Sequence, residues 1–223
     1  MKLSRSELAR MIDSTLVSAT VTRNDITKLC KDAVTYDFYS VMVNATYVDS
    51  AAKLLKGSNV RVGSTIGFPF GTTLPEVKAF EAKKVVEKGA TELDMVINIS
   101  ALKSRDYALV EKDIEEVATT KRLSKDITVK VIIETGYLNN EEKVIACKLS
   151  KEAGADFVKT SVGFVCKATV EDVRLMRKTV GKNMGVKAAG GIRTYQDALA
   201  MIEAGANRIG TSTAVAIIEE TPK

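Results

Sequence analysis

The chain has 223 residues, 45% of them hydrophobic, and carries a formal charge of +5 from 33 basic and 28 acidic side chains. That apolar share suffices for one sizeable core, which excludes a disordered chain and predicts a single globular domain over 1–223. Basic residues are interleaved with acidic ones, aromatics are only 5% and tryptophan is absent, so nucleic acid is not an expected partner, whereas the mild positive excess suits a small anionic substrate.

The opening stretch MKLSRSELARM is charged and lacks a leader's apolar core, and no later run approaches the ~18 apolar residues of a membrane span. A cytoplasmic protein without a membrane partner is therefore expected. Strands are predicted at 12–16, 39–43, 60–66, 92–97, 128–134, 156–161, 185–189 and 207–211, each a short apolar or β-branched run. Between them, TRND, NNEE and TVED place a capping residue three positions before an acid, the signature of a helix start. Strands alternating with helices imply parallel pairing through right-handed crossovers. Eight such units in about 220 residues predict an α/β fold, a (β/α)8 TIM barrel, with a doubly wound open sheet as the competitor. The opening stretch then reads as a short N-terminal helix that caps the bottom of the barrel.

Histidine is absent altogether. This removes Ser-His-Asp and Cys-His pairs, imidazole bases and His-ligated zinc, and no metal site is expected. Cys30, Cys147 and Cys166 are odd in number and lie in no metal-ligand spacing, so they read as reduced thiols.

Charged residues fall inside or at the ends of the predicted strands: Asp13, Asp94, Lys130, Glu134, Lys159 and Lys187. Any one of them could be a structural ion pair, but together they concentrate charge where a parallel barrel has only a core or an active site. KGATELDM, AGADFVKT and AGANRIGT repeat a Gly-Ala pair five residues before Asp94, Lys159 and Gly210, which would set Asp94 and Lys159 at similar heights on alternate strands. Lysine attacks a carbonyl only when unprotonated, and both desolvation and a neighbouring ammonium lower its pKa. Lys159 and Lys187 on adjacent strands offer both effects. A Schiff base on one of them would serve as an electron sink for carbon–carbon cleavage without a metal or an organic cofactor, with Asp94 available for proton transfer. KAAGGIRT and RIGTSTA end the last two strands with small residues before helices, the usual place for a phosphate in such barrels.

These residues and their surroundings resemble the deoxyribose-phosphate aldolase family, class I aldolases on a (β/α)8 barrel. IDSTL, IGFPFG, ELDMVINISALK, VKVIIET, AGADFVKTS, GVKAAGGIRT and AGANRIGTS carry the resemblance along nearly the whole chain. It implies Lys159 as the Schiff-base lysine, Asp94 as proton donor and acceptor, and Lys187 as the second lysine. Asp13, Thr15 and Thr160 fall at substrate positions, and Gly190, Gly191, Gly210, Thr211 and Ser212 at a phosphate cradle. The implied reaction is reversible cleavage of 2-deoxy-D-ribose 5-phosphate to D-glyceraldehyde 3-phosphate and acetaldehyde, by a homo-oligomer. Another Schiff-base aldolase or transaldolase, or a non-catalytic sugar-phosphate-binding barrel with its lysines paired to Asp94 and Glu134, are the alternatives. The chain departs from the family at Ser14, Met42 and Ala45, and the GFVCKAT loop is a residue shorter and lacks a Gly-Gly.

Overall fold

The computed structural model describes residues 3–222. Strands β1 (Ile12–Leu16), β2 (Ser40–Val43), β3 (Arg61–Ile66), β4 (Glu92–Val96), β5 (Thr128–Ile132), β6 (Phe157–Lys159), β7 (Gly185–Ala189) and β8 (Arg208–Thr211) pair in parallel in that order. Closure comes from β8 pairing back to β1, so the open-sheet alternative is excluded.

The surrounding helices are α1 (Arg5–Ala9), α2 (Arg23–Thr35), α3 (Val48–Leu54), α4 (Pro75–Glu87), α5 (Ile99–Lys103), α6 (Tyr107–Ala118), α7 (Asn140–Glu152), α8 (Val170–Val180), α9 (Tyr195–Glu203) and α10 (Ala214–Glu219). All three capping signals fall at helix starts. Thr22 and Asn139 close full capping boxes with Asp25 and Glu142 at α2 and α7, and Thr169 accepts the Asp172 N–H at α8. Each satisfies a backbone donor that the first helical turn would otherwise leave unpaired. The end of α1 meets the strands' amino-terminal rim, where the Ala9 carbonyl accepts the Tyr39 N–H and the Met11 carbonyl accepts that of Ile209.

Four strands lose one terminal residue against their predicted spans, and two are shorter by two residues or more. The fifth, expected to run to 134, ends at Ile132, and the sixth, expected over 156–161, spans Phe157–Lys159. Glu134 takes a left-handed backbone with φ 51° and ψ 71°, which an extended strand cannot contain. Asp156 turns its carboxylate onto the Val129 N–H and Lys121 before β6 begins.

Strand residues alternate between two environments. Leu93, Met95, Val129, Val131, Val158 and Ile209 face outward into an apolar core shared with the helices. The inward positions carry charge instead, and a second small apolar cluster of Val96, Ile132 and Val162 lies apart from the main one.

Candidate active site

Inward positions recur every second residue, so Glu92 with Asp94 on β4, Lys187 on β7, and Arg208 with Gly210 on β8 all point into the barrel. Neighbouring strands bring further charges into register, with Asp94 opposite Lys130 and Lys159 opposite Lys187. The result is a continuous buried ionic cluster. At its lower end, Arg208 lies over the Tyr39 ring at 3.3 Å and donates to Asp13 Oδ1 at 2.9 Å. Ser40 also donates to that oxygen, at 2.7 Å, while Asp13 Oδ2 sits 2.6 Å from Lys187 Nζ. Lys130 Nζ lies 2.7 Å from Glu92 and 2.9 Å from Asp94 Oδ1. Asp94 Oδ2 is shared, at 2.7 Å from both Lys187 Nζ and Lys159 Nζ.

Burying these ions is costly unless each is paired, and the network supplies the partners. It sets three carboxylates, Asp13, Glu92 and Asp94, against Lys130, Lys159, Lys187 and Arg208, and half-buried Arg61 reaches Glu92 from the rim at 3.1 Å. Burial raises the carboxyl pKa of Asp94, but Lys130, Lys159 and Lys187 outweigh it and hold the group well below the usual carboxylate range. Asp13 is lowered likewise: Lys187, Arg208 and Lys130 prevail over burial. Lys130 is desolvated yet raised, because Asp94, Glu92 and Asp13 all face it. Lys159 goes the other way. Burial lowers it, Asp94 restores part of the loss, and the Lys187 charge lowers it again, to about 8.

Only Lys159 among these charges also lines a cavity of about 340 Å³ at the carboxyl ends of the strands. The walls include Thr15 near the end of β1 and Ser18 after it, Val162 and Phe164 after β6, and Arg193 after β7. Of the predicted phosphate residues, Gly190, Gly191, Gly210, Thr211 and Ser212 all line it. Gly190 and Gly191 have φ of 106° and 73°, and a Cβ on Gly190 would stand 2.7 Å from the Cys166 carbonyl. A Cβ on Gly210 would come within 3.0 Å of Lys187 Cε, so its bare backbone also gives the lysine room to cross. Thr211 donates its hydroxyl to the Ile192 carbonyl, and Thr15 donates to that of Asp13.

Two predicted substrate positions lie away from the cavity. Asp13 is fully buried below Lys187, its oxygens taken by Lys187, Arg208 and Ser40. Thr160 staples β6 to β7, donating to the Ala189 carbonyl and accepting the Ala189 N–H. Among the described residues Glu134 pairs with no lysine; it bonds the loop after β6. Sequence reasoning missed Glu92 and Arg208 in the cluster and Ser18, Val162 and Arg193 in the cavity. A period-two reading of ELDMV and RIGT would have found the first two, and Arg193 follows the double glycine by two residues.

The sequence model described as DeoC/LacD family aldolase matches residues 7–219. A deoxyribose-phosphate aldolase of Thermococcus kodakarensis is 59% identical over 223 residues, covering 99% of each chain. One from Thermococcus gammatolerans is 61% identical over 216 residues, 96% of each. The tetrameric deoxyribose phosphate aldolase of Aeropyrum pernix superposes with a TM-score of 0.90 at 36% identity, over 97% of this chain and 91% of that one.

Proposed function

The chain belongs to the DeoC/LacD aldolase family, and from that premise we propose that it reversibly cleaves 2-deoxy-D-ribose 5-phosphate to D-glyceraldehyde 3-phosphate and acetaldehyde through a Schiff base on Lys159. It is a lyase. The observation that carries the assignment of the nucleophile is that Lys159 is the amine shared by the ionic cluster and the cavity. With its pKa lowered to about 8, about a tenth of the amine is unprotonated at pH 7, where an ordinary lysine is almost wholly charged.

In the cleavage direction, Lys159 Nζ adds to the aldehyde carbon of the open-chain sugar and water leaves, giving an iminium. The C3 hydroxyl then gives up its proton, the C2–C3 bond breaks, and its electron pair flows into the iminium to form an enamine as glyceraldehyde 3-phosphate departs. C2 of the enamine is protonated, and water hydrolyses the resulting iminium to release acetaldehyde and regenerate the amine. Asp94 is the proposed proton carrier, since its Oδ2 stands within hydrogen-bond distance of the nucleophile and of Lys187. Lys187 holds the pKa of Lys159 down and restores the proton balance. Gly190, Gly191 and Ser212 supply close backbone approach for the phosphate, and Arg193 adds a cation at that end. Asp13 acts beneath them, orienting Lys187.

Residues 1–223 act as one domain in this reading, in line with a family match across 7–219. A homo-oligomer is proposed by analogy with the tetrameric Aeropyrum pernix relative. Cytoplasmic location is proposed as well; among the described residues no helix is long and apolar enough to cross a membrane.

The test is a product assay on purified enzyme. Deoxyribose 5-phosphate should yield acetaldehyde and glyceraldehyde 3-phosphate in equal amounts, while phosphorylated ketoses should yield neither. Triose phosphate released from a ketose with no acetaldehyde from the deoxy sugar would overturn the reaction in favour of another Schiff-base aldolase.

A further inference from the structure

Glu134 carries a carboxyl that the proposed chemistry does not use. It is 1% exposed, and its backbone is left-handed at φ 51°, a conformation costly to a residue with a Cβ. Both carboxyl oxygens are directed at one segment. Oε2 accepts the Val162 N–H at 2.8 Å, and Oε1 accepts the Cys166 thiol at 2.9 Å. Burial and the adjacent Glu134 both raise the Cys166 pKa, so the thiol keeps the proton it donates.

The segment so held is the cavity wall, since Val162, Gly163 and Phe164 all line it. It has little regular structure of its own. Ser161 accepts the Gly163 N–H at 2.8 Å and donates to the Cys166 carbonyl at 3.0 Å, which closes the loop on itself. Its backbone is anchored from outside by the Ala168 N–H on the Gly190 carbonyl and by Glu134 at Val162, while Val162 packs on Val96 and Ile132, Phe164 meets the Phe68 ring edge-on, and the Cys166 thiol lies between Glu134 and the Thr135 hydroxyl. Backbone pairing between the β5 and β6 ends runs through Ile133 to Lys159 and Thr135 to Thr160, and the Glu134 side chain takes up the next donor in that ladder. The chain passes so near that a Cβ on Gly136 would lie 2.5 Å from that of Cys166.

We propose that Glu134 is a positioning residue that holds the 162–166 wall of the cavity in the shape that binds the phosphorylated substrate, with its left-handed backbone aiming the carboxylate at Val162 and Cys166. The proposal rests on the aldolase reading for its kinetic consequence, though not for its effect on the loop. The strain is retained because only this backbone geometry turns the side chain out of the strand and onto the loop. Glu134 touches no reacting atom, so its loss should impair binding of the sugar phosphate rather than formation of the iminium.

Glu134→Gly separates backbone from side chain, since glycine accepts φ 51° without penalty yet offers no acceptor. This variant should raise KM for deoxyribose 5-phosphate about tenfold, the loss expected when a buried hydrogen-bond partner is removed. Reductive trapping of acetaldehyde on Lys159 should stay within about twofold of wild type. Hydrogen exchange should accelerate at 162–166 and leave β7 unchanged. Glu134→Gln keeps an acceptor for the Val162 N–H and should recover most of the KM loss. An unchanged KM and unchanged exchange in Glu134→Gly, or a Gln variant no better than Gly, would overturn the proposal; so would trapping that falls in parallel with binding. Failure of the aldolase reading would show separately, as absent trapping in the unmodified enzyme, and the exchange measurement would still decide whether Glu134 holds the loop.

Discussion

Lys159 and Lys187 face each other on adjacent strands and share one oxygen environment at Asp94, yet only Lys159 reaches the cavity. Its amine is therefore both accessible and electrostatically discouraged from holding a proton. The rate of iminium formation with acetaldehyde should rise about tenfold per pH unit below 8 and level off above it, as measured by borohydride trapping across a pH series. Removing the Lys187 charge takes away one of the influences lowering Lys159 and leaves Asp94 more fully to it. Lys187→Met should thus move that profile to higher pH and slow trapping at pH 7 by roughly tenfold, and a profile left in place would contradict the coupling. These residues were legible in the sequence because a charge inside an apolar strand has few structural explanations. The family resemblance puts Asp13 and Thr160 at substrate positions, and a strand sequence reports which way a side chain faces but not its depth in the barrel. In the structure Asp13 lies against Lys187 and Thr160 bonds the Ala189 carbonyl, both away from the lining of the cavity.

At the scale of elements, strand order and helix starts were readable because alternating hydrophobicity and capping residues are local signals. Strand ends were not, since Glu134 leaves the extended region to reach a partner 28 residues away in the chain. A second long-range device, invisible in sequence, secures β4. Lys78 of α4 is fully buried against Asp113 of α6 at 2.6 Å, and together they bind the Val96 carbonyl and the Asn98 N–H just past Asp94. Burial lowers Lys78 and raises Asp113, so neither charge would persist there without the other. Asp113→Ala should destabilise the protein by about 3–5 kcal/mol in denaturant unfolding, whereas Lys78→Met with Asp113→Leu should recover most of that loss. A double variant destabilised by as much as the sum of the Lys78→Met and Asp113→Leu losses would show that the pair is not coupled.

Across the whole molecule, the barrel separates an apolar layer between strands and helices from an ionic interior beneath the cavity. Global stability should carry the signature of that interior. Asp13 and Asp94 have folded pKa values below the ordinary aspartate value of 3.8, so their contribution is full above that value and is lost as pH falls through the lower folded values. Lys159 has a folded pKa of about 8 against 10.5, so the unfolded chain binds its proton more tightly across that window and stability gains from this group as pH rises through it. On the acid side, calorimetric melting temperatures should therefore fall steeply only below about pH 4. A fall that begins near neutrality would contradict the paired state of the carboxylates. The central claim is that one lysine at the meeting point of cluster and cavity forms the covalent bond to substrate. It is tested most directly by adding borohydride to the enzyme with acetaldehyde and locating the ethylated lysine by peptide mass spectrometry. A single modified peptide carrying Lys159 is expected, and an adduct on Lys187 or Lys130, or none at all, would contradict Lys159 as the nucleophile.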